Sequence, residues 1–494
     1  MKSSHVLAAL LLAIFIARSN LAAATIDIDS LEKLKAALAK AKPGDHIVLA
    51  DGKYALKEPV EITAAGSEQQ PIVIEAKTIG GAEFTGDANV RFGKGAAYIV
   101  LKGFAFTNNA TDKGGAMVLE AGAHHCRVTR NVFALKVTGR STFFTVNGDD
   151  NEVDHNTFRD KNTEGQMLLI NGTGPGPGDA PALVAKRNWV HHNYFLNFGK
   201  GAPNNASGLH FGSSHRSMDP GYSVAEYNLF VKNIGENEGA ICSKTTDAIY
   251  RYNTIIDSTE LSLRHGHRAQ VYGNFFLRSD GVRFFAHDHE IFSNYFEGCR
   301  LAIAIGNGDA TIPPGKLTAH QRPDRVKVVY NTLVDNKANA QMGGRKEGLG
   351  CDDLVFANNL IVGGNKAVSI SGPLKNPKWE GNIIWNTEGG AGDIPSDGFT
   401  QVDPKLMKDD RGVYHLAKDS PAIGKGAGAY PFVKEDIDGQ RRPAEKLDAG
   451  ADQFSTEPGR NRPLKEEDVG PNAPEEKDRP VIWAPKVQWI AAAK

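Results

Sequence analysis

A short motif recurs through the middle of the chain: Asn, any residue, then Phe, Leu or Ile. It stands at Asn131, Asn156, Asn193, Asn228, Asn253, Asn274, Asn294, Asn331, Asn359 and Asn382. Successive asparagines are 25, 37, 35, 25, 21, 20, 37, 28 and 23 residues apart. A repeat of roughly 20–30 residues is the mark of a solenoid. Short β-rich runs such as Ala269–Phe276 make it a β-solenoid rather than a helical array. Asparagine is common in turns, but chance does not place one two residues before Phe, Leu or Ile ten times over 252 residues. The pattern predicts an all-β chain wound as a right-handed parallel β-helix. Each coil adds a strand to each of several parallel sheets, about 4.8 Å above the last. Each Asn turns a corner and bonds to its counterpart in the next coil, and the apolar residue two places on points inward. The intervals of 35 and 37 are coils that carry loop insertions.

An open solenoid end is an exposed sheet edge and needs a cover. Residues 29–40 hold a capping residue and Leu31, Leu34 and Leu38 at helical spacing, which predicts a short helix plugging the N-terminal end. Before it, Lys2, an apolar run from Val6 to Ala17 and Ala22-Ala23-Ala24 form a leader-like segment, 1–24, too short for a membrane span. This predicts export to the periplasm or beyond. The β-helix is assigned to 25–455. Residues 456–494 are rich in Pro and charge at first and read as a tail, with an apolar stretch from Val481 to Ile490. With 57 Lys+Arg against 58 Asp+Glu, no basic excess points to nucleic acid. No later segment reads as a membrane span, and a monomer is expected. Cys126, Cys242, Cys299 and Cys351 lack zinc-binding spacing and are expected to be free buried thiols.

The long polar side chains carry the functional signal. Lys244, Arg264 and Arg283 are 20 and 19 residues apart, one local coil each, so three cations are expected on one face. Just before them, Glu236 and Glu238 alternate, and in a strand both point to one side. A solvated salt-bridge ladder would explain these residues. So would a site for an acidic polysaccharide whose carboxylates hold a hard cation through oxygen. His265, His267, His287 and His289 form a further cluster, which could bind a transition metal if neighbouring coils stacked them.

The run from Glu236 to Lys244, then Arg251-Tyr-Asn-Thr254 and Leu263-Arg-His-Gly266, resembles polysaccharide lyase family 6, which holds alginate lyases and chondroitinase B. Gly212-Ser-Ser214, residues 224–230, residues 153–158, Lys161 and Gly165-Gln166 extend the likeness, which runs from about residue 26 to about residue 385. The resemblance implies β-elimination on a uronic acid unit of an acidic polysaccharide, most of all alginate, with a chondroitin or dermatan polymer as the alternative. It implies Lys244 as base and Arg264 as the residue at the leaving oxygen. His265, Arg283, Lys161 and His210 are expected to bind substrate, and Asn204, Glu236 and Glu238 to hold Ca²⁺. Two departures stand out. Lys244 follows Glu238 by six residues rather than five, so one extra residue must be absorbed, as a bulge at Gly239-Ala240 would do. Where the family has Asn-Gly-Gly-Glu, this chain has Asn204-Asn-Ala-Ser207. A non-catalytic polysaccharide-binding β-helix and a hydrolase using Glu236 and Glu238 as paired carboxylates are the competing readings.

Overall fold

The computed structural model describes residues 24–109, 115–174, 182–199, 206–235, 239–311 and 319–474. Among them, three long parallel sheets stack coil upon coil, as the asparagine repeat requires. The first runs from Thr25–Ile28 to Lys378–Glu380, the second from Gly52–Leu56 to Phe399–Gln401, and the third from Val60–Ile62 to Val368–Ile370. One coil passes through them in that order, for example Arg127–Thr129, Val132–Phe133, Phe144–Val146. The chain is a parallel β-helix.

All ten motif asparagines stand at the corner between the first and second sheets, and all are fully buried. Each of the first nine hands its backbone N–H and its side-chain amide to the Oδ1 of the asparagine one coil on. At Asn253 these bonds reach Asn274 over 2.9 and 3.0 Å, and its Nδ2 also donates to the Ala225 and Arg251 carbonyls. The ladder is unbroken from Asn131 to Asn382. It satisfies backbone groups that the corner removes from the sheets. The residue before each asparagine adopts a left-handed conformation even where it is Arg130, His155, Tyr227 or Tyr330. That conformation is costly for non-glycine residues, and the ladder on its inner side compensates for it. Two places after each asparagine the side chain enters the core. Phe106, Phe133, Phe158, Phe195 and Phe230 stack with ring centroids 4.7, 4.8, 5.0 and 4.6 Å apart.

The helix Leu31–Leu38 closes the first coil. Ser30 caps it by accepting the Lys33 N–H, and Leu34 and Leu38 are buried in the main core. The four cysteines are buried, and none is bonded to another. No helix among the described residues is long and apolar enough to cross a membrane.

After the last coil an antiparallel hairpin, Leu406–Lys408 with Tyr414–Leu416, turns the chain back. It then descends along the left-handed corner residues. Asn358 holds the Ala427 carbonyl, Tyr252 and Ser293 hold Glu435, and Asn461 donates to the Gly273 carbonyl. Gly470 donates to His192, and Arg130 donates to the Pro471 and Ala473 carbonyls. Residues 456–474 belong to this return path, with Leu464 and Val469 packed on Tyr194 and Leu229.

Candidate active site

The outer face of the third sheet carries the charged cluster. In the strand Ile241–Lys244, Ile241 joins the main core and Cys242 and Lys244 lie on the opposite face. Cys242 stands in register with His210 on one side and Ser262 on the other. Lys244 ends the strand, only 5 % exposed, with Gly212 below it. Above it the register shifts: Ser243 pairs with Leu263 but Lys244 pairs with His265, so Arg264 is the extra residue. A one-residue irregularity thus sits in the strand Leu261–His265. It changes the expected stacking as well. Arg283 aligns with Ser262, two residues before Arg264, so the three cations do not form one column. Lys244 and Arg264 stand near the ends of successive strands, and Arg283, one coil further on, is set back along its strand.

Two histidines face the first pair. His210 is buried, its Nδ1 3.1 Å from the Ser207 hydroxyl. Burial, then Lys244 and Arg264, hold its pKa well below the usual histidine range. His265 is 2 % exposed, and neither ring nitrogen has a hydrogen-bond partner among the described residues. Burial, Arg264, Lys244 and His320 push its pKa down to about 3. At neutral pH both rings are uncharged dipoles wedged against cations.

Arg283 donates from Nε and Nη2 to Ser262 Oγ at 3.2 and 3.0 Å and meets Glu260 at 2.8 Å, an ion contact without hydrogen-bond alignment. Burial raises the Glu260 carboxyl to about 7 against the pull of Arg283. Beyond Arg283 opens a cleft of about 350 Å³, lined among others by Phe285, Asn307, Gln341 and Arg345. None of those four residues carries a signal in the sequence.

Lys161 is placed elsewhere. It ends the strand Thr157–Lys161 of the second sheet, 2 % exposed. Its ammonium donates to Thr163 Oγ1 and the Glu164 carbonyl and lies 5.1 and 5.5 Å from the Phe143 and Phe198 ring centres. Burial brings its pKa down to about 7, with Glu164 opposing. The structure encloses this lysine rather than presenting it to the cleft. Asn204, Glu236 and Glu238 lie outside the described residues.

The four-histidine cluster separates into three roles. His265 belongs to the site above. His289 accepts the Ala269 N–H at Nδ1, and its Nε2 donates to the Phe285 carbonyl, so both nitrogens are used. His267 and His287 stack at 4.6 Å and grip the Gln321 amide. Two other groups have metal-ligand proximity: Asp154 with His155 and His191, and His415 with Asp438 and Asp452. Asp154 is already engaged by both arms of Arg127 and by Thr129.

Comparison with known proteins adds the following. The family described as Chondroitinase B matches residues 28–389. The alginate lyase AlyGC, of polysaccharide lyase family 6, is 26 % identical with a TM-score of 0.68, over 84 % of this chain and 60 % of that one. This chain thus spans about three fifths of that protein's length. A mannuronic acid specific family 6 lyase from human gut microbiota is 21 % identical, TM-score 0.60, over 77 % of this chain and 91 % of its own. A family 6 polysaccharide lyase from Pseudopedobacter saltans is 16 % identical, TM-score 0.65, over 91 % and 100 %. These last two likenesses show the β-helix fold. No curated protein sequence matches significantly.

Proposed function

Since the chain belongs to the chondroitinase B family of polysaccharide lyases, family 6, we propose that it cleaves alginate by β-elimination. The observation that carries this reading is the convergence of Lys244 and Arg264 on two buried neutral histidines, with Arg283, one coil beyond Arg264, lining a cleft. The C5 proton of a uronate is very weakly acidic, so the site must disperse charge as that proton leaves. Lys244, in its neutral form, takes the C5 proton. The C5–H pair becomes the C4–C5 double bond, the C4–O bond breaks, and its electrons go to the departing glycosidic oxygen. Arg264 stabilises that oxygen, which a water then protonates, because a guanidinium seldom gives up its own proton. His265 and His210, being uncharged, donate or accept hydrogen bonds to sugar hydroxyls without adding to the positive field.

Asn204, Glu236 and Glu238 supply three oxygen donors, the chemistry that suits Ca²⁺, and would be its ligands. When bound, the ion would lend positive charge to neutralise the substrate carboxylate. The leader-like residues 1–24 suit a protein delivered to the periplasm or outside the cell, where such polymers are met. The support for alginate over a chondroitin or dermatan polymer is that AlyGC, described as an alginate lyase, resembles this chain over 84 % of its length. A panel of uronate polymers, read by the ultraviolet absorbance of the unsaturated end, tests both points. Absorbance rising only with dermatan moves the substrate assignment, and none with any polymer defeats the lyase reading.

A further inference from the structure

The segment after the cleft's far wall returns toward Lys244 and Arg264 and delivers a residue the repeat does not announce. His320 packs its ring on Phe285 with centroids 4.4 Å apart and lies 6.2 Å from the His265 ring. Its Nδ1 is buried and has no hydrogen-bond partner among the described residues. Burial, then Arg264, Arg283 and Arg345, bring its pKa down to about 4, with Asp309 opposing. It therefore stands between the Lys244 and Arg264 pair and the cleft lined by Arg283, Phe285 and Arg345. A buried nitrogen without a partner costs free energy unless a ligand completes it.

The ring is held in place from behind. Gln321 is 1 % exposed. Its amide donates to His287 Nε2 at 3.0 Å, and its carbonyl oxygen accepts from His267 Nε2 at 2.9 Å, a pairing that fixes both tautomers. Its backbone carbonyl accepts the Ala286 N–H. Asp309 Oδ1 accepts the backbone N–H of His320 at 2.6 Å, which fixes the main chain that carries the ring. Two coils and one turn thus fix a single imidazole over the cleft mouth.

We propose that His320 is a substrate-binding residue, an uncharged imidazole that hydrogen-bonds a hydroxyl of the uronate lying between the Lys244 and Arg264 pair and the neighbouring cleft, with Gln321 as its positioning residue. The proposal rests on the polysaccharide reading above and deepens it. A neutral ring suits this place because three guanidiniums already offer charge to carboxylates. What they leave unrecognised is the hydroxyl pattern of the sugar, which is what distinguishes one uronate from another.

The test is calorimetric binding of a defined alginate hexamer to the full chain in a Lys244→Ala background, which keeps the ligand intact. His320→Ala is expected to weaken binding about tenfold, the scale of one buried hydrogen bond to a ligand, and His320→Asn to restore part of it. Gln321→Leu is expected to weaken binding too, but to add nothing once His320 is Ala, because it acts only through that ring. Binding unchanged within twofold in His320→Ala overturns the proposal. Additive losses, which a merely structural role would give, overturn the positioning role. Binding that depends on His320 in a wild-type chain without turnover defeats the lyase reading alone, and no binding of any uronate oligomer defeats both.

Discussion

The corner between the first and second sheets and the outer face of the third sheet are built from the same coils, yet they follow opposite rules. At the corner every coil repeats its neighbour. One asparagine follows another, and at the other two corners left-handed turns set Arg187 on Asp150, Arg268 on Asp247, Arg278 on Asp257 and Arg325 on Asp288, each one coil apart. On the third sheet the outward column reads Thr145, Leu169, His210, Cys242, Ser262 and Arg283, no two alike. At those turns a charge meets its opposite. In the cleft, neutral imidazoles meet cations. Repetition there makes a rod, and its interruption here makes a place where a polymer's carboxylates and hydroxyls can be met.

The largest effect expected from breaking this contrast is on rate. Lys244→Ala should cost about 10²–10⁴-fold in lyase turnover and leave the melting temperature close to wild type, since the lysine lies on the outward face of its strand. Turnover is followed by ultraviolet absorbance and folding by thermal melting. Wild-type-like turnover in the folded variant would end the base assignment. Arg264→Lys should also restore little, because the planar fork is lost. If most activity survives in that variant, a point charge suffices beside the leaving oxygen.

The corner should respond in stability and not in chemistry. Asn253→Ala removes the donors held by Asn274, Ala225 and Arg251 and strips the acceptor from the Asn228 N–H. Leaving such groups buried and unmade should cost about 3 kcal/mol, read by denaturant unfolding, while turnover per folded molecule holds. A loss below 0.5 kcal/mol, on the order expected of a surface change, would mean that the ladder follows the fold and does not secure it.

How much of this was legible in the sequence divides along the same line. Repetition is visible without a structure, so the ten asparagines announced the solenoid, its corner and its inward apolar positions. Counting coil intervals put Lys244, Arg264 and Arg283 on one face of successive coils, and a family likeness assigned the roles of Lys244 and Arg264. Counting did not show that a one-residue bulge sets Arg283 in register with Ser262. The histidines were read together because they are close in sequence, yet His267 and His287 grip Gln321, 54 and 34 residues away. His320 carried no signal for the same reason. Its packing on Phe285, 35 residues earlier, does not follow the local coil interval of 37 residues. Lys161 matched a motif, but its strand turns its ammonium into a pocket between two phenylalanines.

Titration should sharpen the comparison through opposite signs. His265 and His289 have folded pKa values pushed down to about 3, in both cases by burial first. The unfolded chain binds their protons near pH 6.5 and the folded chain does not, so stability should fall as pH drops below 6.5. Each group contributes at most about 1.4 kcal/mol per pH unit. His415 is the reverse case. Burial opposes its charge, but Asp452, Asp438 and Asp409 raise it to about 9. Its stabilisation is complete below pH 6.5 and is lost as pH rises through about 9. Denaturant midpoints across pH should therefore show an acid limb that starts above the carboxylate range and an alkaline limb that His415→Gln abolishes. An alkaline limb unchanged in that variant would remove His415 from the account.

The smallest effect belongs to the exposed rungs. Arg278 meets Asp257 at 2.9 Å, but its side chain is 62 % exposed and the carboxylate 42 %. Water and salt screen such a pair, and two side chains lose freedom to form it. Arg278→Ala should change stability by less than about 0.5 kcal/mol and leave turnover alone, although the rung looks as regular as an asparagine step. A double-mutant cycle with Asp257→Ala measures the coupling directly. A coupling as large as the cost of Asn253→Ala would mean that the charged rungs hold the coils together. The expected near-zero value would instead place the strength of the coil stack in the buried amides of the asparagine corner, with the charged turns at the other corners keeping the outer surface soluble.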